Sequence, residues 1–228
     1  GLTSSMVGLA VGQLVFGPLS DKYGRRRPLM IAIALFLLST VGCIFSQTIM
    51  QFVGLRFVQG IAGSGGVVLS RSIATDKYSA HELATMLAII GAINGIATVA
   101  APIGGGILAE EAGWHGIFWF LFLLGILLLG GVFRLNESLP AERRLDVNWK
   151  GLCRNFGIVL SNRQYLFYIL QYGFTMGVLF VNIASAPFIM QQHYGLSPMM
   201  FSLCFGANAI AMVISSTISV KLPTMGPV

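Results

Sequence analysis

An all-α membrane protein with several spans is the fold class this sequence predicts, and three observations predict it. Of the 228 residues 55% are hydrophobic and only 10% charged, with a mean hydropathy of +0.80, whereas a globular domain carries about 25% charged residues. Residues 1–20 hold no charge, and none lies between Arg27 and Arg56. Each stretch can cross a bilayer core, which takes ~20 mainly apolar residues as a helix. Between them, GPLSDKYGRRRP at 17–28 gathers Asp21, Lys22, Arg25, Arg26 and Arg27 into one short segment, which reads as a hairpin between two spans.

Taken in order, the spans are 3–18, closed by Asp21; 29–46, opened after Arg27; and 50–71, closed by Arg71. A fourth, 84–108, stops before Glu110; a fifth, 115–134, stops at Arg134; a sixth, 165–188, follows Arg163; and a seventh, 200–220, ends at Lys221. Seven spans make the connections alternate between two faces. Segments 19–28, 72–83, 135–164 and the end near Lys221 fall on one face, and 47–49, 109–114 and 189–199 on the other. Every one of the 14 basic residues except Arg56 falls on the first face. Membrane insertion sorts cations in this way, so the first face is cytoplasmic. The net charge of +6 and pI of 9.6 therefore set orientation, and nucleic acid is not an expected partner.

The chain opens inside a span without an initiator Met, and it reads as a fragment with no targeting leader. Cys43, Cys153 and Cys204 are scattered, without C-x-x-C or His spacing, and read as packing residues rather than a disulfide or metal framework. His81, His115 and His193 stand alone near span ends and read as interfacial. The segment 135–164 is long, mixed in charge and contains Pro140, so it reads as a linker with an amphipathic turn on the membrane surface. It separates five spans from two, dividing the chain into 1–134, 135–164 and 165–228. In this it resembles the long cytoplasmic connector that joins the halves of a major facilitator transporter.

Four motifs carry a resemblance to that superfamily. GPLSDKYGRRRP is similar to its G-x-x-x-D-[RK]-x-G-[RK]-[RK] signature, through Gly17, Asp21, Lys22, Gly24, Arg25 and Arg26. LRFVQG at 55–60 resembles the R-x-x-Q-G signature of the fourth helix, and RSIATD at 71–76 its cytoplasmic end. AAPIGGGIL at 100–108 resembles the G-P-x-x-G-G signature of drug:proton antiporters through Pro102, Gly105 and Gly106, with Ala101 in place of the first Gly. Together with SAPFIMQQHYGLSPMMFSLCFGAN at 185–208, these resemble the Bcr/CflA family of bacterial multidrug efflux transporters. The chain then corresponds to the second through eighth helices of a major facilitator bundle in a bacterial inner membrane.

The resemblance implies that Gly17, Asp21, Gly24, Arg25, Arg26 and Asp76 form a conformational latch, in which Arg25 pairs with Asp76 and charge complements neighbouring helix ends. A purely orienting role for these cations competes with that reading. Arg56 is the one cation well inside a span, where a central charge costs ~2.5–3.5 kcal/mol. It is expected to face a cavity or partner near Gln59 and Gly60, against the alternative of snorkelling outward. The resemblance implies that Arg56 and Gln59 take part in proton coupling. GIAGSGG at 60–66 lacks the Lys-Ser/Thr pair of a phosphate loop and reads as small-residue helix packing, with Pro102 as a helix kink.

A drug cavity is apolar and aromatic with few polar groups. Gln13, Asn94, Gln171, Tyr172, Asn182 and Asn208, with Phe174 and Phe180, are deep enough in spans to line one, or to make interhelical hydrogen bonds. None of the eight acidic residues falls mid-span, so a titrating carboxylate is expected outside this stretch. No nucleophile, metal cluster or paired carboxylate points to an enzyme. The expectation is proton-driven, cofactor-free export of small drug-like compounds by a monomer; a metabolite importer or uniporter and a non-transporting sensor are the alternatives.

Overall fold

The computed structural model describes residues 2–144, 157–158, 160–197, 200–201, 203–208 and 210–211. Its helices are α1 Leu2–Tyr23, α2 Arg26–Ile44, α3 Ile49–Lys77, α4 Ala80–Phe133 and α5 Arg163–Pro187, with a 3-10 turn at Ala141–Arg143 and a π-helical segment at Phe188–His193. Among the described residues five stretches are long and apolar enough to span a membrane: Leu2–Tyr23, Arg26–Ile44, Ile49–Lys77, Gly104–Phe133 and Arg163–His193. Glu82–Ala97 is a shorter apolar helix. The expected seventh span is helical where it is described, up to residue 211. Its remainder, with Cys153, much of the linker and Lys221, lies outside the described residues.

The turns are shorter than the charge pattern suggested. Only Gly24 and Arg25 separate α1 from α2, and only Tyr78 and Ser79 separate α3 from α4. The outer connection expected at 109–114 holds the break in α4 but is narrower than expected: helix runs up to Ala112, the backbone leaves helical dihedrals at Gly113 (φ 65, ψ −175), and helix resumes at Trp114. Glu110, Glu111 and Ala112 are good helix formers, so polarity there did not mean loop. Gly113 takes a left-handed φ closed to residues with a Cβ. The 189–199 connection is likewise helical through His193 before Gly195 turns at φ 64.

By internal packing the chain divides into Gly1–Leu83 with Phe118–Val178, and Ala84–Ile117 with Leu179–Val228. In the first unit α3 packs against both α1 and α2. The α1–α3 seam is glycine against backbone: a Cβ on Gly8 would collide with the Phe57 carbonyl, one on Gly60 with the Ser5 carbonyl, and one on Gly12 with Ser64 and the Ile61 carbonyl. Ser4 Oγ donates across this seam to the Val53 carbonyl (2.6 Å). Gly65 sits 2.5 Å from the Ala32 methyl by the same measure, while Gly63 and Gly66 face open space. The small-residue run therefore brings helices together at some of its glycines and not at others.

Cys43, Ile44 and Phe118 form a buried cluster supported by Phe52, Leu55 and Leu121. Thr48 caps α3 by accepting from the Gln51 amide (3.2 Å), and Glu82 accepts from the Ser79 amide (3.1 Å) and hydroxyl (2.7 Å) at the start of α4. In the second unit, the Trp114 and His115 rings lie 3.6 Å apart, centroid to centroid. At 29 residues, α3 is about 43 Å long and overruns a ~30 Å hydrocarbon core. Arg56 lies about 10 Å along it from its start, and Asp76 stands in its last turn.

Candidate functional site

The turn between α1 and α2 exists because Gly24 adopts φ 87, a conformation glycine enters without penalty. That turn brings Arg25 onto three carboxylate or hydroxyl groups. Its Nε donates to Asp76 (2.8 Å), and one terminal nitrogen donates to Asp21 (2.6 Å) and to Ser20 Oγ (2.6 Å). Arg25 is 8% exposed and Ser20 fully buried, while the Asp21 and Asp76 side chains are 37% and 16% exposed. Burial works against the charged guanidinium, but its bonds to Asp76 and Asp21 outweigh burial and raise the Arg25 pKa. One side chain thus ties the end of α1, the start of α2 and the end of α3.

The expected charge–dipole complementarity holds for the Arg25 guanidinium, which sits at the C-terminal ends of α1 and α3 where a cation is favoured, and fails for the charges on their own helices. Asp21 lies in the last turn of α1 and Arg25, Arg26 and Arg27 at the start of α2, the ends at which a helix disfavours those signs. The complement comes from Glu137, which sequence reasoning left among linker charges. Its carboxylate accepts from the backbone amides of Arg25 (2.7 Å) and Arg26 (3.2 Å), and from those of Ser138 (3.1 Å) and Leu139 (3.2 Å). Burial opposes its ionisation, but these backbone bonds and the nearby Arg144 charge prevail and hold its pKa below the ordinary carboxylate value. Arg26 donates to the Phe133 carbonyl at the end of α4 (2.8 Å). A Cβ on Gly24 would meet the Glu137 carboxylate at 2.5 Å, whereas one on Gly17 would meet nothing.

Within the membrane, Arg56 donates to Gln59 Oε1. Gln59 is 3% exposed, and its Nε2 donates to Thr40 Oγ1 (2.7 Å), which in turn donates to the Phe36 carbonyl (2.6 Å). The Arg56 guanidinium also stands 5.8 Å from the Phe118 ring centroid, within cation–π range. Arg56 is therefore held by Gln59 and Phe118 within its own unit. Thr40 was missed because a lone Thr in an apolar span back-bonds to its own helix as a rule; here it also serves α3.

Helical dihedrals run through Pro102, Gly105 and Gly106, and the break in α4 falls at Gly113; the Pro102 side chain lies outside the described residues. An added Cβ at Gly105 would meet open space. Gln13, Asn94, Gln171, Tyr172, Phe174, Asn182 and Asn208 are all exposed, and Phe180 is 39% exposed. Gln13, Gln171, Tyr172 and Phe174 belong to the first unit and Asn94, Asn182 and Asn208 to the second.

Similarity to known proteins agrees with these motifs. The model of the Major Facilitator Superfamily matches residues 1–227. The chain is 40% identical over 220 residues to an uncharacterized MFS-type transporter, YdgK, of Bacillus subtilis (strain 168), covering 95% of this chain and 55% of that protein. It is 29% identical over 224 residues to a bicyclomycin resistance protein homolog of Haemophilus influenzae, covering 98% and 56%. The crystal structure of the human organic anion transporter MFSD10 (TETRAN) matches in fold, with a TM-score of 0.65 at 20% identity, over 91% of this chain and 54% of that one. The chain thus spans about half the length of the relatives it matches. Both the family and these relatives are transporters rather than enzymes. With its motifs in order, its helices long enough to span and a family model matching almost end to end, this multi-pass membrane chain belongs to the major facilitator superfamily.

Proposed function

We propose that this chain is part of a proton-driven exporter of small drug-like amphipathic compounds, working as a monomer in a bacterial inner membrane by alternating access. In this reading residues 1–134 close an N-terminal six-helix bundle, 135–164 join the bundles, and 165–228 begin the second. The loops 19–28, 72–83 and 135–164 face the cytoplasm. Gly17, Asp21, Gly24, Arg25, Arg26 and Asp76 are the latch, and Arg56 with Gln59 tunes the proton-carrying acid. Pro102, Gly105 and Gly106 are the antiporter-like segment of α4, and Gln13, Asn94, Gln171, Tyr172, Phe174, Asn182 and Asn208 contribute to the substrate path. The driving force is a proton gradient, with no cofactor.

The observation that carries this reading is the three-helix clasp on Arg25. An orienting cluster of cations needs only charge, whereas a guanidinium shared by Asp21, Asp76 and Ser20 is a device that two conformations can make and break. The drug-like substrate class follows the bicyclomycin resistance homolog. The test is drug accumulation in inside-out vesicles holding the full-length protein. Export predicts accumulation that stops when the proton gradient is collapsed. Uptake indifferent to that collapse indicates a uniporter, and binding without uptake indicates a sensor; either result overturns the proposal.

A further inference from the structure

The geometry points to Glu137 as a positioning residue that fastens the connector leaving α4 to the Arg25 clasp, by capping the N-terminus of α2 from a site 112 residues away in sequence. The inference rests on the transport reading only in giving the clasp a conformational role.

The first amides of a helix have no partner inside it. At α2 the residue in the capping position is Arg25, which offers no side-chain cap of its own. Glu137 supplies the missing acceptor, with one carboxylate oxygen on the Arg25 amide and the other on the Arg26 amide. The same carboxylate turns back onto the amides of Ser138 and Leu139. This folds the connector's first residues against the turn, and Leu139 is 7% exposed there.

Ser138 then directs its hydroxyl toward the Asp76 oxygen that receives Arg25 Nε, at 3.5 Å. The backbone of Arg25 is therefore held by the connector while its side chain holds α1 and α3. Gly24 completes the fit, because any Cβ there would enter the space of the Glu137 carboxylate and approach Arg144. A displacement of the connector cannot leave the clasp undisturbed, since both use the same residue.

The test uses the full-length transporter with its native cysteines replaced and a reporter Leu139→Cys, labelled from the cytoplasmic side of inside-out vesicles. Glu137→Gln keeps the size but turns one acceptor into a donor facing the Arg26 amide. Labelling should accelerate about tenfold, the scale of one charge-assisted hydrogen bond. Glu137→Asp, which keeps the charge but shortens the reach, should fall between Glu137→Gln and the parent. In an Arg25→Ala background, which keeps the capped amide but removes the side-chain clasp, Glu137→Gln should accelerate labelling less than in the parent, because cap and clasp share one residue.

Unchanged labelling in Glu137→Gln overturns the inference. So does an acceleration that multiplies fully with that of Arg25→Ala, since the cap would then act apart from the clasp. Failure of the parent protein to accumulate drug sinks the transport reading and leaves these labelling ratios unaffected, so the two failures are distinguishable.

Discussion

Thr40→Val tests the stability and the function of the Arg56 site together. The substitution is close to isosteric and removes the oxygen that accepts from Gln59 Nε2, in a place where Thr40 is fully buried and Gln59 3% exposed. In water-soluble proteins a stranded buried donor costs ~1–3 kcal/mol. Interhelical hydrogen bonds in membranes average nearer ~0.6 and reach ~1.7 kcal/mol, because the unfolded chain also finds partners. The membrane figure governs here, which places the cost at about 1 kcal/mol and the fall in melting temperature of the full-length protein at roughly 1–2 °C. Adding Gln59→Leu removes the stranded amide but takes the acceptor from the Arg56 guanidinium, and a hydrogen bond to a charged group is worth ~1.5–3 kcal/mol, so the double variant should be less stable than Thr40→Val alone and its drug efflux lower still. Thermal unfolding in detergent and proton-coupled efflux, measured side by side on the full-length protein with Thr40→Ser as the conservative control, give the two readouts. If Thr40→Val matches the parent in both, the chain from Thr40 to Arg56 has no part in holding the guanidinium.

Arg25→Ala and Asp76→Asn should each reduce efflux with insertion intact, and their combination should fall short of the sum, with ~1–3 kcal/mol of coupling read from a double-mutant cycle; full additivity removes the clasp. Gly8→Ala and Gly60→Ala should destabilise by ~1–3 kcal/mol through overpacking, whereas Gly63→Ala, which meets open space, should stabilise by about 0.5–1 kcal/mol through backbone entropy. Thermal unfolding of the three variants distinguishes a seam from a merely small-residue composition. The lowered Glu137 pKa means that the folded state binds its proton less readily than the unfolded chain does. Its contribution is present above the ordinary carboxylate pKa of ~4.3 and lost as pH falls through the lowered folded value. Acidification slows thiol labelling in every variant, so the readout is the ratio: the excess of Leu139→Cys labelling in Glu137→Gln over the parent should shrink toward none as pH falls and the Glu137 carboxylate is protonated. His193→Cys should be modified only from the outer side, and labelling confined to the cytoplasmic side would invert the topology.

The transverse order of the chain was legible because charge and hydropathy are one-dimensional quantities. Runs between Asp21, Arg27, Arg71 and Arg134 mark helices by length alone, and the cations are the basis on which their direction is proposed. Helix ends were less legible. Within the connection at 109–114 the Glu pair at 110–111 is helical by propensity, and the break narrows to Gly113, where only the dihedral decides. In the site, Arg56 and Gln59 could be singled out because a charge or amide in a span is costly and must be accounted for, and Arg25 and Asp76 because they stand in segments that resemble the superfamily's signatures. Glu137 and Thr40 could not. One is a carboxylate in a connector already rich in charge, the other a hydroxyl that its own helix can satisfy, and neither looks anomalous until the partner helix is in place.

The seam between α1 and α3 also has a genetic consequence. At Gly8, Gly12 and Gly60 the neighbouring carbonyls and Ser64 occupy the volume that any β-carbon would need. Every missense change that one nucleotide can make in a glycine codon introduces such a carbon, so these codons admit only synonymous variation without a shift of the two helices. Gly17, Gly63 and Gly66, on the same two helices, carry no such restriction. Random mutagenesis should therefore divide the glycines of α1 and α3 into two classes by position along the crossing, irrespective of which amino acid replaces them.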